Sequence, residues 1–227
     1  MAHFFLLLAL VLGSALVSLL ALHFAFRSER TAPLRLHAQR EWKLGARKVL
    51  GVVAVNGTVS ALVAFLVPWF AREWLVADGV GSPVQILWQT VAALMVNDFA
   101  YYFLHRYPFH QWKRLQRIHT LHHTIKHPTA VEALYASPLE NILGLLTFFA
   151  SIAVVGPVSP VAFLLIVGIY STLNIVIHMG FAPDSGMFWP LGYMARKHNR
   201  HHRSMKAGNY ASTTPLPDLL FGTLEND

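Results

Sequence analysis

Three short stretches of this chain concentrate histidine: HRYPFH carries His105 and His110, HTLHH carries His119, His122 and His123, and HNRHH carries His198, His201 and His202, with His178 standing alone before the last. HTLHH and HNRHH share i, i+3, i+4 spacing, which on an α-helix projects side chains within an arc of roughly 100°. Each therefore predicts three imidazoles aimed at one point. Nine nitrogen ligands exceed the six or so that one ion accepts and suit two adjacent ions with positions left for water or oxygen. Imidazole suits iron, zinc and copper; iron is expected first, with zinc as a substitute on overproduction. The chain has no cysteine, which excludes disulfides, thiolate zinc sites, iron–sulfur clusters and a cysteine nucleophile. On an ideal helix His105 and His110 lie about 140° apart, so they share a face only if the helix breaks, and Pro108 is the predicted break.

Other polar residues fall where they would support these imidazoles. Asp98 precedes His105 by two turns on the same helix face, and a carboxylate inside a membrane span is costly and usually functional. It is expected to hydrogen-bond a ligand imidazole and fix its tautomer; the alternative is a buried structural pair with Asn97 or Arg106. Asn174, one turn before His178, is expected to support or join the site. Glu132, Glu140 and Asp218 either back a ligand or are solvated loop acids. Arg114, Arg117, Lys126, Arg196, Lys197 and Arg203 surround the histidines and form either a docking face for an acidic partner or a topological charge bias.

The elements that must position these groups are apolar. Of 227 residues, 55% are hydrophobic and 13% charged, and several apolar runs approach the roughly twenty residues that cross a bilayer as a helix. The fold class expected is an all-α integral membrane protein, a bundle of about four to five transmembrane helices under a cytoplasmic histidine-rich cap. Phe4–Phe26, Val49–Phe70 and Ile86–Leu104 are the first three spans. Asn141–His178 is interrupted by Gly156, Pro157 and Pro160 and reads as a hairpin of two short spans that enters and leaves on one side. A single crossing would put the two HxxHH groups on opposite faces. The tail from Met179 reads as loop and short helices.

Seventeen of the eighteen Lys and Arg residues fall on the histidine side of these spans, seven of them between Arg27 and Lys48. The positive-inside bias then places the N-terminus outside and the histidines and C-terminus in the cytoplasm, in an inner membrane of bacterial type. The net charge of +7 is read as topology; no nucleic-acid readout element accompanies it. One membrane domain, 1–227, is expected, with residues 1–84 supplying N-terminal spans and a basic loop and 85–227 the catalytic region.

The order HRYPFH, HTLHH, HNRHH after the apolar segment DFAYYFLHR, with TAVEALYASPLE after the second group and GNYASTTPLPDLLFGT after the last, resembles the fatty acid hydroxylase superfamily, in particular its C-4 methylsterol oxidase branch. The likeness covers Leu94 to Thr223. Ser137 and Asn174 stand where members of that family often or sometimes carry histidine. The resemblance implies a membrane diiron oxygenase that uses O2 as co-substrate to hydroxylate or desaturate a lipid, whether sterol-like, hopanoid, carotenoid or fatty acyl. No GxGxxG follows a strand and no cysteine is available for a cluster, so electrons are expected from a separate ferredoxin- or cytochrome-type donor with its reductase. The competing class is a histidine-rich metal-binding or transport protein without redox catalysis, but transporters set polar ligands near the bilayer midplane on interrupted helices. A zinc protease lacks its HExxH here.

Overall fold

The computed structural model describes residues 2–38 and 44–225, and among these every named element is helical. Arg40 and Lys43 of the basic loop lie outside the described residues. Helix α1 (Ala2–Arg27) is an apolar rod closed by a basic residue. Helix α2 (Ala46–Phe70) follows, and Pro68 is accommodated within its last turn. After a single turn, α3 (Arg72–Leu75), helix α4 (Pro83–Leu104) starts on Ser82, whose hydroxyl accepts the amide of Gln85 at 3.2 Å, with Pro83 in the first turn where its missing N–H costs nothing. Helix α5 (Lys113–His119) is short. Helices α6 (Pro138–Val155) and α7 (Pro160–Val176) form the predicted hairpin: Gly156 at φ 102° ends α6, and the Ser159 hydroxyl caps α7 by accepting Ala162 N–H at 3.2 Å. Helices α8 (Trp189–His202) and α9 (Leu216–Leu220) complete the chain.

Helices α1, α2 and α6 are each long and apolar enough to cross a membrane, and α7 is a shorter apolar helix. Helix α4 has the length, and its polar residues Gln89, Thr90, Asn97 and Asp98 are buried. It packs on α6 and α7, while α1 packs on α7 and α2 on α6. Outward, Leu6, Leu10, Val17, Phe24, Leu62 and Trp69 expose large apolar side chains, a belt that is stable against lipid and not against water.

The bundle has two distinct ends. At one, Leu8, Ala64, Leu75, Val158 and Phe163 share a core, Val158 N–H donates to Leu75 O at 3.1 Å, and Gln89 accepts Ser159 N–H at 3.0 Å. At the other, Phe26 and Val176 pack with Phe181 and Ala195, and Val49 packs with Ile125 and Tyr135. The second end collects the C-termini of α1, α4 and α7 and the N-termini of α2 and α6. All nine candidate histidines sit there, because α6 and α7 return to the end from which they left.

Candidate metal centre

The imidazoles form two groups whose candidate ligand atoms lie within 4.8 Å of one another: His105, His110, His119, His123 and His201 in the first, His122, His178, His198 and His202 in the second. All nine are buried. The expectation that each HxxHH aims at a single point is corrected. Helix α5 ends at His119, and His122 and His123 sit on a separate 3₁₀ turn, so His119 and His123 face the first group and His122 the second. On α8, His198 and His202 are one turn apart and share the second group, while His201, about 100° around the helix from His202, enters the first. HTLHH and HNRHH thus each contribute to both groups and hold them side by side, with the His123 and His202 rings stacked at 4.8 Å between centroids.

Pro108 does not break the helix. Leu104 runs on into a π turn, His105–Phe109, with Trp112 N–H donating to Tyr107 O at 3.2 Å. Because i→i+5 bonds set residues five apart over one another, His105 and His110 meet, their ring centroids 5.0 Å apart.

The outer nitrogens of six imidazoles point at backbone carbonyls: His105 at Tyr210 O (2.7 Å), His110 at Met205 O (2.8 Å), His201 at Gly208 O (2.7 Å), His122 at Tyr135 O (3.2 Å), His178 at Asn174 O (2.7 Å) and His202 at Ile125 O (2.9 Å). A carbonyl only accepts, so Nδ1 carries the proton in these six rings and Nε2 is left as a bare lone pair. Those bare nitrogens face one another. His105 and His201 approach at 3.1 Å and His122 and His178 at 3.3 Å between Nε2 atoms, with no proton to place between them. Comparable separations occur where His119 or His198 supplies one nitrogen: His105–His119 and His198–His202, both 3.1 Å, and His178–His198 at 2.8 Å. Lone pairs held at this distance repel unless a cation lies among them. A six-coordinate ion with metal–nitrogen bonds of about 2.1 Å has adjacent ligands about 3.0 Å apart, so the donor set fits a transition metal.

Burial holds the rings neutral and ready to ligate. It pushes the His119 and His178 imidazoles down to about 3 and that of His110, with the neighbouring His119 adding to the effect, to about 4; His123 and His202 are lowered in the same direction. His119 alone has a carboxylate beside its outer nitrogen: Glu140 Oε1 lies 2.9 Å from Nδ1, at ion-pair distance but off the hydrogen-bond direction. Both His123 nitrogens, His110 Nε2 and His198 Nδ1 are buried and unpartnered, which leaves His110 and His123 each a nitrogen free for an ion in the first group.

Two expected supports are corrected. Asp98 reaches neither a ligand imidazole nor Asn97 or Arg106; its carboxylate accepts Thr213 N–H at 2.9 Å, Thr214 N–H at 3.0 Å and the Thr214 hydroxyl at 2.6 Å. Lys197 offers no docking charge, since it is buried and donates to Asp218 at 2.8 Å. Asn174 does contribute, through its backbone carbonyl to His178, while its side chain hydrogen-bonds Tyr170. Glu132 closes a capping box with Thr129. The carbonyl acceptors were invisible in the sequence because a backbone oxygen has no residue signature.

A family model described as fatty acid hydroxylase matches residues 90–223. Among curated proteins, the chain is 33% identical over 139 residues to methylsterol monooxygenase 1 of Rattus norvegicus, covering 57% of this chain and 44% of that protein. It is 30% identical over 149 residues to methylsterol monooxygenase 2-2 of Arabidopsis thaliana, covering 60% and 54%. It is also 30% identical over 145 residues to the very-long-chain aldehyde decarbonylase GL1-8 of Oryza sativa subsp. indica, covering 60% and 51%. The chain spans about half the length of these relatives. No solved structure matches. The matched stretch runs from the middle of α4 to the turn after α9 and so contains both histidine groups and every carbonyl that orients them, and on that ground the chain belongs to the fatty acid hydroxylase family.

Proposed function

We propose that this protein is an integral membrane, O2-dependent oxidoreductase that hydroxylates or desaturates a lipid, with two irons held by its nine histidines and electrons drawn from a separate ferredoxin- or cytochrome-type donor. The observation that carries this reading is the set of bare, buried Nε2 atoms facing one another at 3.1–3.3 Å at one end of an apolar helical bundle. The names of the relatives, a methylsterol monooxygenase and a very-long-chain aldehyde decarbonylase, support a lipid substrate, sterol-like or long-chain.

His105, His110, His119, His123 and His201 would hold one ion and His122, His178, His198 and His202 the other. Bound iron supplies the redox chemistry by which O2 is reduced and an unactivated C–H bond oxidised. The chain's own contribution is preparation. Backbone carbonyls hold the Nδ1 protons, so each of those rings offers only Nε2. Burial keeps the imidazoles neutral and keeps bulk water from the reacting centre. Glu140 sets a carboxyl oxygen 2.9 Å from the outer nitrogen of His119, the place a backbone carbonyl takes for the six other rings. Tyr101, one turn before His105, packs on its ring at 5.4 Å and fills the membrane side of the site. The outward apolar side chains hold the bundle in the bilayer, from which a lipid reaches the histidine end without crossing water. The distribution of Lys and Arg supports an orientation with that end, and the C-terminus, in the cytoplasm.

The reading is tested by supplying ¹⁸O2 to cells that overproduce the wild-type chain or His122→Ala and profiling their lipids by mass spectrometry. A lipid gaining one ¹⁸O or losing two hydrogens only with the wild type supports it; identical profiles in the two strains, with both proteins in the membrane, refute it.

A further inference from the structure

Three of the five imidazoles in the first group take their Nδ1 acceptor from one short segment: His110 from Met205, His201 from Gly208 and His105 from Tyr210. The second group does not use that segment; its acceptors are Ile125, Tyr135 and Asn174. Residues 205–214 have no helix to fix their carbonyls, yet they are closely held. Asp218 accepts four bonds: Tyr210 N–H at 2.8 Å, Ala211 N–H at 3.0 Å, the Thr223 hydroxyl at 2.8 Å and Lys197 Nζ at 2.8 Å. Asp98, from the interior of α4, accepts the three from Thr213 and Thr214. Both carboxylates are fully buried. Between them Asn209 adopts φ 61°, a left-handed conformation rare outside glycine, and at Gly208 an added Cβ would lie 2.2 Å from Thr223 O.

We propose that Asp98 and Asp218 are positioning residues for the first histidine group alone. They fix the strap 205–214, and its three carbonyls set the tautomer and ring direction of His105, His110 and His201. The physical argument is one of cost and geometry. A buried carboxylate is retained at large desolvation cost and persists only when its oxygens are saturated with donors. Here those donors are strap amides and the Thr214 hydroxyl, with Lys197 Nζ and the Thr223 hydroxyl completing the set at Asp218, and none is an imidazole, so the carboxylates' hold on the first group passes through the peptide planes of the strap. Asparagine at either position keeps the shape but replaces one acceptor oxygen by an NH2 group, which faces strap N–H groups with another donor and releases part of the strap. The inference rests on the reading of the two groups as two metal sites.

The test uses the full metal-free chain in lipid nanodiscs, titrated with Co²⁺ against a competing chelator while the visible d–d bands are recorded, with His201→Ala and His202→Ala supplying reference spectra for loss of the first and second site. Asp98→Asn and Asp218→Asn are each expected to weaken the first site by about 10 to 100-fold, the usual effect of losing a partner of a ligand histidine, and to leave the second site's affinity and bands unchanged. Thr214→Ala keeps both carboxylates and removes one of the three bonds to Asp98, so a smaller shift at the same site is expected. Parallel loss at both sites would mean that the acids merely hold the fold, and unchanged affinities at both would mean that the strap does not orient the ligands; either overturns the proposal. Should Asp218→Asn fail to fold, Asp98→Asn and Thr214→Ala decide the matter by the same criteria. A wild-type protein that binds a single equivalent instead sinks the two-site reading beneath it, before any strap variant is made.

Discussion

Gly192 allows a sharp test of whether packing, rather than the histidines alone, builds the centre. It lies in the first turn of α8, where a Cβ would sit 1.9 Å from the Pro183 carbonyl oxygen although ordinary contact begins at 3.4 Å, so Gly192→Ala needs about 1.5 Å of separation between two backbones. The Pro183 side resists movement: Ala182 N–H donates to Leu34 O at 2.9 Å and Phe181 pairs with Arg35. Helix α8 therefore takes most of the shift, and it carries His198 about 9 Å further along, followed by His201 and His202. Overpacking of this kind costs about 1–3 kcal/mol of stability, while a ligand displaced by about 1 Å costs on the order of 100-fold in function. The metal centre should thus fail before the fold does. Because α8 serves both groups, Gly192→Ala is expected to lose metal from both together, with the unfolding temperature in detergent lowered only modestly. Gly57→Ala, where nothing lies within 4 Å of the new Cβ, is the control and should keep full metal. Wild-type metal content in Gly192→Ala would refute the argument that this close approach sets the position of the third histidine box.

Adjacent residues should differ in which ion they release: His202→Ala leaves three imidazoles in its group and is expected to lose the second equivalent, whereas His201→Ala leaves four and is expected to weaken only the first, as metal analysis after dialysis would reveal. Acid should destabilise the metal-free protein. His110, His119 and His178 are pushed down to about 4, 3 and 3 from an ordinary 6.5, so between those values the unfolded chain binds more protons than the folded one. Each ring then removes about 1.4 kcal/mol of stability per pH unit below 6.5 and nothing above it; thermal unfolding that is flat from pH 8 to 5 would contradict this. For topology, the native chain has no cysteine, so Arg30→Cys and Lys206→Cys can be labelled cleanly. Both should react from the cytoplasmic side and Asp78→Cys from the opposite side, and labelling of Arg30→Cys and Lys206→Cys from different sides would break the common site.

That the histidines gather is legible in the sequence; how they divide into two groups is not. Spacing of i, i+3, i+4 marked His119, His122, His123, His198, His201 and His202 as metal-facing, but it assumed unbroken α-helix. The end of α5 at His119 and the π turn after Leu104 are local departures set by tertiary packing, and they decide which imidazole meets which. Asp98 reads from the sequence as a buried acid, and it is one; its partners stand 115 and 116 residues away in sequence, beyond any periodicity argument. The same holds for Lys197, whose charge suggests a surface but which is buried against Asp218, 21 residues on. The hairpin, by contrast, was written locally, in Gly156, Pro157 and Pro160, and it alone puts both boxes at one end of the bundle.

On the proposed reading, two adjacent all-nitrogen groups hold iron. Iron determination on protein purified in mild detergent from iron-supplied cells tests it most directly. The two histidine groups predict about two irons per chain, falling toward one in His202→Ala; one iron or fewer in fully folded wild-type protein, with zinc and copper also absent, would contradict it.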